Sequence, residues 1–204
     1  MQIMKASRDA ILKPLQTVAG IVEKRHTLPI LANVLIRKEG ETVTFTGTDI
    51  EMQVQTRAAI GSGSGGADIT VSARKLIDIL RALPESEVTV TLNGTRLAVS
   101  SGKSRFALQT LPAADFPTLA VGTEVASQVT LPQKQLKHLL QMVHFAMAQQ
   151  DIRFYLNGLL LVIGAHGIRS VATDGHRLAF CAQACDAASA AAEVIMPRKT
   201  VTEL

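Results

Sequence analysis

Apolar residues recur at helical spacing over residues 8–22, where Ile11, Leu12, Leu15, Val18 and Val22 share one face. The spacing predicts an amphipathic helix capped by Ser7, even though Pro14 sits inside it and removes a backbone donor. A short strand over 2–5 precedes it, and three alternating segments over 30–38, 42–48 and 52–60 read as strands. Glu39-Gly40-Glu41 turns the first of these into the second, and the Gly/Ser run over 61–66 reads as a flexible loop tip. The same order then returns. A strand over 68–71 leads through Ser72 into a helix over 73–83 with Leu76, Ile77, Leu80 and Leu83 on one side. Strands over 87–92, 96–100 and 105–111 follow, with turns at Asn93-Gly94 and Ser101-Gly102.

This βαβββ order also recurs at long range. Shifting the chain by 124 residues lays Asn33 on Asn157, Leu35 on Leu159, Gly40 on Gly164, and Arg74-Lys75 on Arg198-Lys199. Thr48-Asp49 meets Thr173-Asp174 after a slip of one. The later copy predicts a strand over 128–131, a helix over 132–148, and strands over 153–163, 167–173, 178–184 and 193–196, with a helix from Pro197. Pro112 to Ser127 has two prolines, a glycine and no helical period, which marks a boundary. The expected division is a first domain over 1–119, a linker over 120–127 and a second domain over 128–204. Relative to the first, the second lacks about forty residues, as a truncated chain would. Amphipathic helices need a sheet to cover, so the fold class is α+β, with two helices packed on antiparallel sheet per domain.

Charge sharpens this picture. The predicted helices and their ends hold eleven of the 21 basic residues and four of the 17 acids, a net +7, while the rest of the chain nets −3. Basic bias repeated on four helices points to a shared anionic partner, most simply a phosphate backbone met without sequence readout. At 3% aromatic the chain is too poor in rings for an extended base-stacking surface. No apolar stretch approaches a membrane span and the N-terminus lacks a signal-peptide run, so a reducing cytoplasm is expected.

Candidate chemistry is sparse. Cys181 and Cys185 lie four apart on one predicted strand face and read as buried reduced thiols. The five histidines show no ligand-pair spacing beside an acid, so no metal and no cofactor is expected. Asp174-Gly175-His176-Arg177 has the look of a catalytic loop and would suit a sugar- or nucleotide-processing enzyme, but it also reads as a tight turn with Gly175 at positive φ and Asp174 capping it.

Four segments carry a family resemblance: Thr27-Leu28-Pro29-Ile30-Leu31, Thr46-Gly47-Thr48-Asp49-Ile50-Glu51-Met52, Leu111-Pro112-Ala113-Ala114-Asp115-Phe116-Pro117 and Val171-Ala172-Thr173-Asp174-Gly175-His176-Arg177-Leu178-Ala179. They resemble the bacterial sliding clamps, the beta subunits of DNA polymerase III, and the likeness runs the length of the chain. It implies the DNA clamp fold, in which three similar domains per subunit close head to tail as a homodimer ring around duplex DNA. It implies no catalysis. Arg25, Arg74, Gln150, Tyr155, Arg198 and Lys199 match DNA-facing positions, and Phe154 stands where a tyrosine is common. Leu156, Thr173, Gly175, His176, Arg177 and Leu178 match part of a pocket for the clamp-binding peptides of the polymerase catalytic subunit, the clamp loader and repair proteins. Lys75, Lys103, Arg105, Phe106 and Leu108 match one side of the subunit interface. A third domain and the end of the second are expected to be missing. The rival from outside DNA metabolism is a plain protein-interaction scaffold.

Overall fold

Eight segments form a single antiparallel sheet in the first half of the chain. They are β1 (Gln2–Ser7), β2 (Asn33–Glu39), β3 (Thr42–Thr48), β4 (Gln53–Ala59), β5 (Gly66–Ser72), β6 (Glu87–Asn93), β7 (Arg96–Ser101) and β8 (Ser104–Pro112), in the order β1-β6-β7-β8-β5-β2-β3-β4. The computed structural model describes residues 1–22, 28–63, 65–84, 86–119, 128–185 and 191–204. It divides into two units, Met1–Ala120 and Val121–Leu204.

In the first unit the two ends of the sheet meet. Met4 on β1 forms an isolated antiparallel bridge with Gly61, just past β4, and the Ser62 N–H donates to the Ile3 carbonyl at 3.2 Å. The sheet thus curls around α1 (Arg8–Ala19) and α2 (Ala73–Ala82), which bury Ile11, Leu15 and Val18, and Leu76 and Leu80. They pack on Val43, Phe45, Val88, Val90, Leu97 and Val99 from the strands. Each fully buried aliphatic side chain contributes roughly 1.5–3 kcal/mol, so the two helix stripes decide the fold of this unit.

The second unit runs α3 (Gln133–Gln141), β9 (Gly158–Gly164), β10 (Gly167–Thr173), β11 (Leu178–Ala184), β12 (Ala192–Pro197) and α4 (Arg198–Glu203), with sheet order β11-β10-β9-β12. Its core joins Leu140, Val143 and Met147 to Leu159, Ala172 and Val201.

Several expectations shift. Segments 30–32 and 154–157 are single 3-10 turns ahead of β2 and β9, not strand starts. Residues 128–131 form no strand. The repeat counterpart of that segment, β1, is paired with β6, and the described second unit has no strand in the β6 position to pair with it. The helix expected over 132–148 stops at Gln141 and gives way to a 3-10 turn at His144–Ala146. The first helix stops at Ala19, before Gly20, which suits helix interiors poorly. Neither Ser7 nor Ser72 bonds its helix through the side chain. The Arg8 N–H instead donates to the Ser86 carbonyl at 3.2 Å. Both cysteines are half-exposed, and Cys185 lies beyond the end of β11.

Candidate nucleic-acid interface and peptide groove

Among the described residues the four α-helices carry nine basic residues against three acids, so the charge bias survives their shortening. In the first unit, Arg74, Lys75 and Arg81 rim a groove of about 480 Å³ floored by Ala19, Val22 and Ile77. Arg74 approaches Asp78 at 3.9 Å with both side chains well exposed, a pairing too loose and too wet to tie up its charge. Arg25 lies outside the described residues.

In the second unit, Arg198 opens α4 half-buried, and its Nη1 donates to the Met147 carbonyl at 3.2 Å. Lys199 follows it, also half-buried. Gln150 is exposed in a left-handed conformation, φ 58°. Phe154 and Tyr155, both exposed, meet edge to face at 5.8 Å. Phe154 lacks the phenolic hydroxyl but keeps an open ring face.

The loop between β10 and β11 is held by its own atoms. Thr173 Oγ1 donates to the Arg177 carbonyl at 2.7 Å and accepts from the Gly175 N–H at 3.1 Å. Asp174 Oδ1 accepts the N–H groups of His176 and Arg177, both at 2.9 Å, and Oδ2 accepts Arg177 Nε at 2.9 Å. These bonds, first the His176 N–H, hold the Asp174 carboxyl below its ordinary pKa. A carboxylate so occupied is a poor general base. The turn does present His176 and Leu178 outward, with Leu178 67% exposed. Leu156, in the 3-10 turn ahead of β9, is buried, its carbonyl accepting from the Ala148 N–H at 2.9 Å.

On β8, Ser104–Ser101 through Gln109–Arg96 pair with β7, while β5 pairs only with residues 110–112. Among the described strands none takes the other edge of 104–109. Lys103 and Arg105 are exposed there and Phe106 is 39% exposed. Lys75 sits on α2, which packs against β8. Leu108 is buried. Opposite Leu97, its side chain is part of the core of the first unit.

Comparison with known proteins places this arrangement. Residues 1–120 match the family model of the DNA polymerase III beta subunit, N-terminal domain, and residues 130–204 match its central domain. The chain belongs to the DNA polymerase III beta-subunit family. It is 46% identical over 199 residues to the beta sliding clamp of Pseudomonas aeruginosa and 47% identical over 198 residues to that of Escherichia coli K12, covering 97% of this chain and 54% of each relative. The chain thus spans about half the length of these curated relatives. Among solved structures, the Pseudomonas aeruginosa beta subunit superposes with TM-score 0.92 at 44% identity, covering 100% of this chain and 55% of that one. The Caulobacter crescentus protein gives 0.90 at 35%, covering 100% and 56%. Another Pseudomonas aeruginosa structure is of the clamp bound to griselimycin.

Two residues beside the beta-subunit turn escaped the sequence reading. The Arg177 guanidinium lies 5.8 Å from the centre of the exposed Phe145 ring. Arg153 reaches Gly175 from another loop: a Cβ on Gly175 would stand 3.4 Å from its Nη2. Asp-x-Arg at 151–153 is the only sequence signal for it, and that spacing alone reads as a solvent-facing ion pair.

Proposed function

We propose that this chain acts as a DNA sliding clamp, a non-catalytic processivity factor that encircles duplex DNA in the cytoplasm and tethers the replicative polymerase. The observation that carries the reading is family membership over both matched segments, and the excess of cations on the four helices supports it. The mechanism is topological. A closed ring cannot leave a circular duplex, so residence is set by ring opening and not by local grip. Phosphate contacts from Arg25, Arg74, Arg198 and Lys199, with Gln150, Phe154 and Tyr155 alongside, are weak and carry no sequence information, which lets the ring slide. No cofactor or metal of its own enters this mechanism.

Partners dock by peptide. Leu156, Thr173, Gly175, His176, Arg177 and Leu178 form one wall of a groove for short apolar segments of the polymerase catalytic subunit, the clamp loader and other clamp-binding proteins. Tethering then raises their effective concentration at the template. The free edge of β8, with Lys75, Lys103, Arg105 and Phe106, is the first-domain side of a head-to-tail homodimer interface; an unpaired edge of this kind is a ready template for strand addition. Leu108 supports that strand from inside. The domains are read as 1–119, a linker over 120–127, and a central domain from 128.

The test is retention on DNA by the product of the full reading frame. Loaded clamp should stay on nicked circular DNA and be lost within the assay once the circle is linearised. Equal retention on both forms would overturn encirclement, and no DNA association at low salt would favour the protein-interaction scaffold.

A further inference from the structure

Asn157 closes the 3-10 turn ahead of β9 and is half-buried. Its position is fixed from behind: at the next residue, Gly158, a Cβ would lie 2.4 Å from the Met196 carbonyl oxygen, so β9 and β12 approach as closely as a backbone allows. The Asn157 amide grips the main chain of Asp151 at both ends. Nδ2 donates to the Asp151 carbonyl at 2.8 Å, and Oδ1 accepts the Asp151 N–H at 2.9 Å. Asp151 in turn grips Arg153. Its Oδ1 accepts the Arg153 N–H at 2.8 Å and Nε at 3.0 Å, and its Oδ2 accepts Nη2 at 2.9 Å. The guanidinium so held is a side-on, two-oxygen pair of defined geometry. Its amino edge faces Gly175, with Nη2 and Nη1 at 3.4 and 3.9 Å from where a Cβ would be. Among the described residues Nη1 has no acceptor.

The first unit makes the contrast. Asn33 is the repeat counterpart of Asn157, yet its Nδ2 donates to Thr70 Oγ1 at 3.1 Å. No Asp-x-Arg precedes it; Thr27 and Pro29 stand in those places. The relay therefore belongs to the unit that carries the groove and not to the repeated fold.

We infer that Asn157 is a positioning residue for the peptide groove: acting through Asp151, it holds the Arg153 guanidinium at the rim beside Gly175, with Nη1 turned to a carbonyl or carboxylate oxygen of the bound apolar peptide. The inference rests on the groove reading above. Left to itself, an exposed arginine spreads over many rotamers, and freezing one costs binding energy when the ligand must do it. The relay freezes it before the ligand arrives.

The test is a double-mutant cycle in the product of the full reading frame, read by fluorescence anisotropy of a fluorescein-labelled apolar hexapeptide ending in Leu-Phe. N157A and R153A should each weaken binding about fivefold to tenfold, and the double variant should be no weaker than R153A alone. D151N, which keeps the shape and removes the charge, should match them. In the ¹H–¹⁵N spectrum the Arg153 Nε–H signal should be protected in the parent and lost in N157A, a change that general loosening of the fold would not confine to one guanidinium. Additive losses, or unchanged affinity in both N157A and D151N, would overturn the inference. L178D separates the two levels: if it binds as well as the parent the groove itself is wrong, whereas if it loses the peptide and N157A does not, only the relay is wrong.

Discussion

Asp49 holds in the first unit the place that Asp174 holds in the second. Asp174 Oδ1 accepts the N–H groups two and three residues on, both at 2.9 Å, and Asp49 Oδ1 does the same for Glu51 and Met52 at 3.2 and 2.8 Å. The preceding threonines match as well: Thr48 Oγ1 donates to the Met52 carbonyl and Thr173 Oγ1 to the Arg177 carbonyl, each at 2.7 Å. A turn so fully bonded fixes its third residue at positive φ, 80° at Ile50 and 88° at Gly175.

That difference in residue type predicts opposite effects. A β-branched side chain in the left-handed region is strained by roughly 1–3 kcal/mol. Against this, glycine costs roughly 0.5–1 kcal/mol in chain entropy. I50G should therefore raise stability by about 1 kcal/mol. G175V should lower it by more, because the new side chain also meets Arg153. Equilibrium urea unfolding of each variant decides; a destabilised I50G would mean that the turn holds no strain.

Acid should act on the Asp151 loop late. Hydrogen bonds from the Arg153 side chain, and then from its N–H, lower the Asp151 carboxyl to about 2 from 3.8. A depressed carboxyl contributes stability that is full above the unfolded value and fades as pH falls through the folded one. The loop should thus stay intact at pH 4 and come apart between about pH 4 and 2. Carbon-detected NMR titration of Asp151 reads the midpoint directly, and R153A should move it back toward 3.8. A midpoint near 4 in the parent would contradict the geometry.

The repeat was legible because it lives in element order and in turn residues such as Asp49 and Asp174, matched after the slip of one, where backbone chemistry demands specific side chains. Strands 42–48, 167–173 and 178–184 were likewise plain, each having one covered face. What misled was apolar content without periodicity. Ile30-Leu31-Ala32 and Phe154-Tyr155-Leu156 are as apolar as strand starts but make single 3-10 turns, a distinction that composition does not encode. Residues 128–131 alternate as a strand should, yet alternation without a partner gives no ladder. Of the site, the Thr173–Leu178 turn was readable, while Arg153 became visible only when a second loop brought it to Gly175. The sequence alone did not separate Phe106 from Leu108: both lie on β8, but Phe106 is 39% exposed while Leu108 is packed in the core of the first unit.

Arg74 and Arg198 should separate charge from structure. Arg74 is exposed on α2, so R74A should reduce the slope of log affinity against log salt by about 1 with little change in melting temperature. Arg198 also donates to the Met147 carbonyl. R198A should lose DNA affinity and about 1–2 kcal/mol of stability together, the cost of a charged hydrogen bond at a half-buried site. Fluorescence anisotropy on a labelled duplex at several salt concentrations, with calorimetry, measures both. An R74A slope equal to the parent's would remove Arg74 from the DNA face.

Lys38 tests a different part of the first unit. Its side chain is fully buried, and its Nζ donates to the carbonyls of Gly63 and Gly65 at 2.9 and 2.7 Å. The glycine-rich stretch is therefore tied down, not the loose tip its composition implies. Ser62, just before it, joins the seam with β1 through Ile3 and Gln2. K38M keeps most of the buried stem and leaves the two carbonyls unmet, so it should cost about 1–3 kcal/mol. The loss should be local. Hydrogen exchange at the Ser62 amide, which donates across the seam, should accelerate, while amides in the β2–β3 pairing keep their protection. If K38M exchanged uniformly faster throughout the unit, the lysine would serve global packing; if it exchanged like the parent at Ser62, its hold on the glycines would contribute nothing to closing the sheet.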